Sequence, residues 1–452
     1  MPAADMKNLR VTALGAGVSG RSIALLASRL GHRVFVSEGG QIPEETLEMF
    51  RSNDIRFESG GHTDRAFECD IMVASSGFPP MSDVIARGRE LGVRIVGELD
   101  FAMPHLRGRV LGITGSNGKT TTASLTGYLL KSLGHRVAVA GNIGNPISDI
   151  AGAELDFIVA ELSSFQLHWA SSISLAGAVV TNLAPDHLDW HGSYENYVRA
   201  KASILSFVER GGFSVIQERD AAALGDAGRS CRLSWGVGSD SDGIRLDSEG
   251  RSCCMRGRRL FGFGDTTLIG SHNMENVAMS LACVDLLGCD ADKSRGALVS
   301  YEAPPHRCSL VLTRNGVRYI DDSKGTNIAA SVAALSSIEG SKIVILGGRG
   351  KGEDYARLAG PLREFARWAV LMGEASGEIA DALSSAGYVS YTTAGGMEEA
   401  VGIASGMALP GEVVLLSPAC TSWDMYKNYG ERGDHFAEIV RGLDGGEPHD
   451  ES

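Results

Sequence analysis

The chain has 452 residues, 43% of them hydrophobic, which is enough for roughly two or three domains with full cores. A formal net charge of −13 argues against a nucleic-acid partner or an anionic membrane surface, so a polyanionic ligand has to be held by local lysines, arginines and helix N-termini. Eight cysteines are scattered without a Cys-x-x-Cys, which fits reduced thiols in a cytoplasm, and no apolar run approaches the roughly 20 residues that insert across a bilayer.

A first unit, residues 1–104, opens as strand, glycine turn, helix, strand: Val11–Leu14, Gly15-Ala-Gly17-Val18-Ser19-Gly20, a helix over Arg21–Leu30, and Val34–Ser37. Ile71–Gly77 and Val93–Val96 read as later strands of the same Rossmann-like sheet. The Gly-x-Gly-x-x-Gly spacing alone is weakly specific. It admits an oxidoreductase in which Glu38 takes a ribose hydroxyl of a dinucleotide.

The middle unit, residues 105–303, carries the sharper signal. Val110–Thr114, Asp156–Glu161 and Ala176–Thr181 each join an apolar run to a polar terminus. As neighbouring parallel strands they bring Lys119, Thr120, Glu161 and His187 to one carboxyl edge, where a nucleotide triphosphate and its metal can sit. In Gly115-Ser116-Asn117-Gly118-Lys119-Thr120 the glycines let backbone N–H groups turn onto phosphate, the lysine reaches a terminal phosphate and the threonine hydroxyl can ligate Mg²⁺. From Thr121 to Ser132 a helix follows, adding its N-terminal dipole. The match to a P-loop is imperfect, because Ile113 stands where the first glycine belongs. This loop disfavours the oxidoreductase reading, which leaves it without a task. Further on, a helix reaching Leu287 carries Asn273 and Asn276 three residues apart on one face, in a position suited equally to capping and to ligand contact.

After the Pro304-Pro305 linker the third unit, residues 304–452, alternates strands and helices again. Polar clusters follow its strands: Asp322-Ser-Lys324-Gly-Thr326-Asn327, Gly347-Gly-Arg349-Gly-Lys351, and Ser417 through Tyr429 with Ser422 between them. They form another polar sheet edge, fit for a second substrate. An acidic tail, 444–452, reads as disordered.

The series Gly115–Thr120, Gly141-Asn142-Ile-Gly144, Glu161-Leu-Ser163-Ser-Phe-Gln166, Asp186-His187-Leu-Asp189, Lys201, His272-Asn273-x-x-Asn276, His306-Arg307, Asp322–Asn327 and Ser417–Ser422 resembles the motif series of the Mur ligases over nearly the whole chain. The resemblance implies an α/β fold of three domains: Rossmann-like, then a central P-loop ATPase-type parallel sheet, then Rossmann-like again. It implies a monomeric cytoplasmic enzyme of peptidoglycan precursor synthesis that uses ATP and Mg²⁺ to join D-glutamate to UDP-N-acetylmuramoyl-L-alanine through an acyl phosphate. Lys119, Glu161, His187 and Lys201 are then catalytic. Gly115, Ser116, Asn117, Gly118, Lys119, Thr120, Thr121, Asn273, Asn276, Arg307, Asp322 and Lys324 bind ATP. Val18, Ser19, Ser37, Glu38, Gly77, Asn142, Ser163 and His187 bind the UDP substrate, while Thr326, Lys351, Ser422 and Tyr429 bind D-glutamate. Thr120 and Glu161 hold one magnesium; His187 and a carbamylated Lys201 hold another. Read without the family, Lys201 is a solvated helix lysine. Arg349, Ser75-Ser76-Gly77 and the acidic Glu38 depart from the family's pattern.

Overall fold

The computed structural model describes residues 8–229, 234–238, 243–246, 252–266, 268 and 271–443. The acidic tail, and residues 269–270 ahead of His272, lie outside them. Contacts gather the chain into two compact units, one of residues 1–183, 195–265 and 277–298, the other of 184–194, 266–276 and 299–452.

Two sheets build the first unit. β1 (Arg10–Leu14), β2 (Arg33–Glu38), β3 (Arg56–Ser59), β4 (Ile71–Ala74) and β5 (Ile95–Gly97) form an all-parallel sheet in the order β3-β2-β1-β4-β5. The helix Val18–Arg29 lies directly on its turn, because a Cβ on Gly20 would stand 2.0 Å from the Gly15 carbonyl oxygen. β3 was not legible: Arg56-Phe-Glu-Ser59 carries one apolar side chain in four.

The second sheet comprises β6 (Arg107–Thr114), β7 (Val137–Gly141), β8 (Glu154–Glu161), β9 (Leu175–Val180), β10 (Val208–Gln217), β11 (Ser234–Gly238), β12 (Ile244–Leu246), β13 (Ser252–Met255) and β14 (Arg258–Gly262). Their order is β14-β13-β12-β11-β10-β9-β6-β8-β7, parallel except for the pairings through β13. The three expected strands are neighbours, as read: β6 pairs with β8 on one side and β9 on the other, setting Ile113 beside Glu161 and Thr114 beside Val180. Burial on both faces is why they read as continuous apolar runs.

In the second unit β15 (Ser309–Arg314), β16 (Val317–Asp321), β17 (Lys342–Gly347), β18 (Ala366–Met372), β19 (Tyr391–Thr393) and β20 (Val413–Leu416) run in the order β15-β16-β20-β17-β18-β19. Only β15 is antiparallel. Separate apolar clusters cover the two faces of this sheet. With β20 between β16 and β17, the three polar clusters that follow these strands share one carboxyl edge.

Candidate active site

The loop after β6 has a backbone that requires glycine. Gly115 has φ +145°, and a Cβ there would fall 1.9 Å from Thr181 Oγ1; Gly118, at φ +79°, immediately precedes the helix Lys119–Ser132. The loop is pinned from the end of β9. Ser116 N donates to the Asn182 carbonyl at 2.8 Å, Asn117 N to Asn182 Oδ1 at 2.9 Å, and Thr181 Oγ1 to the Asn117 carbonyl at 2.5 Å. The sequence assigned no role to Thr181 or Asn182. Lys119 folds back, its Nζ donating to the carbonyls of Gly115 at 2.7 Å and Ser116 at 2.8 Å. Thr120 and Thr121, in the first helical turn, are buried.

Glu161 ends β8 and is 1% exposed. Its Oε1 accepts from Asn142 Nδ2 at 2.7 Å, whereas Oε2 is buried with no partner among the described residues. A buried acceptor without a donor is costly, and a hard cation satisfies a carboxylate oxygen. Among the described residues no three His, Cys, Asp or Glu side chains form a ready metal site. Glu161 and the Thr120 hydroxyl offer oxygen donors of the kind a magnesium ion would take.

Lys201 is not a solvated lysine. The helix Tyr194–Ser206 buries Tyr197, Lys201, Ile204 and Leu205 at helical spacing, and Lys201 is 2% exposed. Its Nζ donates to the Gly115 carbonyl at 2.6 Å and lies 4.7 Å from the centre of the Tyr197 ring, while the Tyr197 hydroxyl meets Ser116 Oγ at 2.9 Å. The lysine thus reaches the phosphate loop.

At the first sheet's carboxyl edge, Glu38 serves its own loop: Oε2 accepts from Ala16 N at 2.7 Å and Oε1 from Gly40 N at 2.8 Å. Ser37 is fully buried, its hydroxyl 2.6 Å from Glu58 Oε1 and 2.7 Å from His62 Nδ1. Val18 and Gly77 are exposed and Ser19 is half-buried, while burial raises the pKa of Glu98, whose Oε1 accepts from Ser148 N at 3.3 Å. Ser163 caps the helix Ser164–Trp169 in a reciprocal box with Gln166.

In the second unit Asp186 is the hub. Its Oδ1 accepts from Lys351 Nζ at 2.9 Å and its Oδ2 from Asn327 Nδ2 at 3.2 Å. His187 follows in the left-handed region, φ 52°, and its N–H donates to Asp186 Oδ1. Glu353 accepts from Ile328 N at 2.9 Å at the start of the helix Ile328–Ser337, whose N-cap is Asn327, and burial raises its pKa. Asp322 is buried; Ser417 Oγ donates to it at 2.7 Å, yet burial outweighs that bond and the nearby Arg307 charge and pushes its pKa up to about 7. Beneath it, the Asp321 carboxylate, 2.6 Å from His306 Nδ1, raises that imidazole's pKa. Lys324 Nζ stands 3.7 Å from the centre of the Tyr429 ring. Thr326 is half-buried, and Ser422 is buried with an Oγ that has no partner among the described residues. Asn276 Nδ2 donates to Asn273 Oδ1 at 3.0 Å. Arg349, out of family pattern, pairs with Glu374 at the surface.

Sequence reasoning passed over Arg432. It is fully buried, and its guanidinium donates to Ser323 Oγ at 2.9 Å and to the carbonyls of Ser323, Cys420 and Thr421 at 2.8, 3.1 and 3.2 Å. One side chain so ties the loop after β16 to the loop after β20, and burial lowers its pKa to about 10. The only sequence hint was a charge at a core position of an amphipathic helix.

Three domain families match in order: the MurD N-terminal domain over residues 10–84, the Mur ligase middle domain over 113–284, and the Mur ligase glutamate ligase domain over 306–420. A UDP-N-acetylmuramoylalanine--D-glutamate ligase of Pelotomaculum thermopropionicum is 36% identical over 97% of this chain and 99% of its own. The chain belongs to the Mur ligase family. A protein of the same name from Streptococcus mutans is 34% identical over 98% of this chain and 99% of its own. Among solved structures, the Mur ligase fold is shared with UDP-N-acetylmuramate-alanine ligase of Thermotoga maritima (TM-score 0.61, 19% identity, 96% of this chain and 100% of that one). It is shared too with the MurF ligase of Thermotoga maritima, solved in complex with ADP (TM-score 0.62, 18% identity, 90% and 94%). As a Mur ligase the protein is an ATP-dependent ligase of peptidoglycan synthesis. Among the described residues no helix is long and apolar enough to cross a membrane.

Proposed function

We propose that this Mur ligase adds D-glutamate to UDP-N-acetylmuramoyl-L-alanine, releasing ADP and phosphate, in the cytoplasm. The observation that carries the substrate choice is the full-length similarity to proteins named for that reaction, a MurD-type first domain included. The alanine carboxylate attacks the γ-phosphorus of ATP, and ADP leaves. The amine of D-glutamate then attacks the acyl phosphate carbon, and the tetrahedral intermediate collapses with phosphate as leaving group.

The residues' chemistry supports these roles. Backbone N–H groups of Gly115–Thr121 and the Lys119 ammonium suit the β- and γ-phosphates, and Lys119 has only to exchange two carbonyl partners for phosphate oxygens. Thr120 and Glu161 would hold Mg²⁺, which when bound neutralises charge as phosphoryl transfer brings anions together. A carbamate on Lys201 would supply an oxygen ligand that an ammonium cannot. We assign Asn273, Asn276, Arg307, Asp322 and Lys324 to the nucleotide. Val18, Ser19, Gly77, Asn142, Ser163 and His187 go to the UDP substrate, and Thr326, Lys351, Ser422 and Tyr429 to D-glutamate. Ser37 and Glu38 act at one remove, by shaping the glycine loop whose backbone they brace.

An amino-acid screen of ADP release in the presence of UDP-N-acetylmuramoyl-L-alanine tests the reading: D-glutamate drives turnover, and turnover with another amino acid in its place overturns it. Titration with NADH and the UDP substrate tests the first domain, where nicotinamide binding without UDP binding defeats the assignment.

A further inference from the structure

The first sheet bears a second polar feature at its other end. β1, β2 and β3 each begin with arginine, and the register sets Arg10 beside Arg33 and Phe35 beside Arg56. Alternation along β2 keeps Arg33 and Phe35 on one face, so all three arginines share it. The segment following β3 closes over that face and contributes Arg65, whose guanidinium lies 5.0 Å from the centre of the Phe35 ring. These four arginines line a cleft of about 40 Å³ with Glu68 as its one lining carboxylate and Cys69 in its wall. That is room for one small oxyanion, or for roughly three waters at 10–15 Å³ each.

Neutralisation within the cluster is incomplete. Arg10 is paired with Asp70 at 2.8 Å, and Arg33 Nε donates to the neutral Asn8 Oδ1 at 3.2 Å. The Arg56 side chain has no hydrogen-bond or ion-pair partner among the described residues. Neighbouring cations repel, and in a chain of net charge −13 the field of the whole protein does not explain their gathering. Guanidinium groups present paired N–H donors in the geometry of a phosphate's oxygens.

We propose that this cleft, at the opposite end of the sheet from the Gly15–Gly20 loop, binds the phosphate group of a small molecule, either inorganic phosphate or a phosphate monoester. The site is independent of the ligase assignment, since no residue of the cleft is placed in the catalytic or substrate-binding machinery. An anion there bridges β1, β2 and β3 and relieves the repulsion between their first residues.

Cys69 gives a readout that phosphate on the nucleotide loop does not touch. Alkylation of the full chain by iodoacetamide is followed at the Cys69 peptide by mass spectrometry, with Cys254 as internal reference. Inorganic phosphate is expected to slow Cys69 alone, about twofold at half-saturation, relative to chloride at matched ionic strength. Glycerol 3-phosphate in a parallel arm distinguishes the sources: equal protection assigns the site to a phosphate group on a larger molecule, protection by inorganic phosphate alone to the free oxyanion. The Arg33→Ala/Arg56→Ala variant, altered only at exposed side chains, should keep its unfolding temperature and its ligase turnover and lose the protection. Protection matched by chloride, or retained in the variant, overturns the proposal.

Discussion

Lys351 and Asp186, 165 positions apart in sequence, meet with 2.9 Å between Nζ and Oδ1, their side chains only 12% and 8% exposed. If Lys351 receives a carboxylate of D-glutamate, the substrate takes over a partner that Asp186 already holds. Removing one member of a buried charged pair typically costs about 2–5 kcal/mol. Lys351→Ala is therefore expected to lower kcat/KM for D-glutamate more than tenfold, the lower end of that range. Asp186→Asn combined with Lys351→Ala should lose much less than the sum of the single effects, because the two side chains share one interaction. Steady-state kinetics on the four proteins measures it. An unchanged D-glutamate response in Lys351→Ala moves the acceptor site elsewhere, with Arg349 next in line.

Lys201 supplies a second prediction. Its Nζ sits on the Gly115 carbonyl inside the first unit, so the position is buried whether or not the amine is carbamylated. Lys201→Ala should lose most turnover while ATP affinity, measured by calorimetry, stays within a fewfold, and a short carboxylic acid added to the variant should restore part of the rate. Full activity without the acid would end the carbamate assignment.

What the sequence revealed follows from which signals are local. Three strands buried on both faces read as unbroken apolar runs, and a glycine loop before a lysine reads as phosphate binding, because both depend only on adjacent residues. β3 and the β13–β14 hairpin escaped, since short strands at a sheet's edge keep polar side chains on their open faces. The inversion of Lys201 from surface to interior also escaped: one lysine on an amphipathic helix does not say which face turns inward. Asn182, Arg432 and the Asp321–His306 pair act through partners distant in sequence, and no local pattern names those partners. Glu38 is instructive in the opposite sense, because an acidic residue that looked unwelcome near a UDP group is occupied by the N–H groups of Ala16 and Gly40.

Asp322 makes stability depend on pH in a stated direction. Its carboxyl titrates near 3.8 when unfolded and is pushed up to about 7 by burial in the fold. Between those values the folded chain holds a proton that the unfolded chain has released, so the stabilisation is fully present below about pH 4 and is lost as pH rises through 7. A shift of this size amounts to on the order of 4 kcal/mol. Asp322→Asn is neutral throughout and should show a smaller fall in unfolding free energy between pH 5 and 8 than the unaltered protein. Denaturant unfolding at several pH values measures this; parallel curves for the two proteins would contradict the buried-acid picture.

The last prediction concerns the path of one oxygen. In the proposed assignment the loop Gly115–Thr121 would grip a nucleotide by its terminal phosphates; Lys119 and Lys201 are both anchored on the Gly115 carbonyl, and Glu161 ends the neighbouring strand. In that assignment the Lys119 ammonium and a magnesium ion held by Thr120 and Glu161 would bring positive charge to the γ-phosphoryl group, where it stabilises transfer to a carboxylate. An adenylating enzyme would instead present the α-phosphate and release pyrophosphate. With ¹⁸O in the alanine carboxylate of UDP-N-acetylmuramoyl-L-alanine, attack on the γ-phosphorus makes a P–¹⁸O bond, and collapse of the tetrahedral intermediate breaks the C–¹⁸O bond. One labelled oxygen should therefore appear in inorganic phosphate at each turnover, with ADP as the nucleotide product. Phosphorus NMR reads the label directly, through the upfield shift it causes. Label in AMP, or phosphate released without label while the amide still forms, would refute the acyl phosphate and leave Lys119 and Glu161 with a binding role alone.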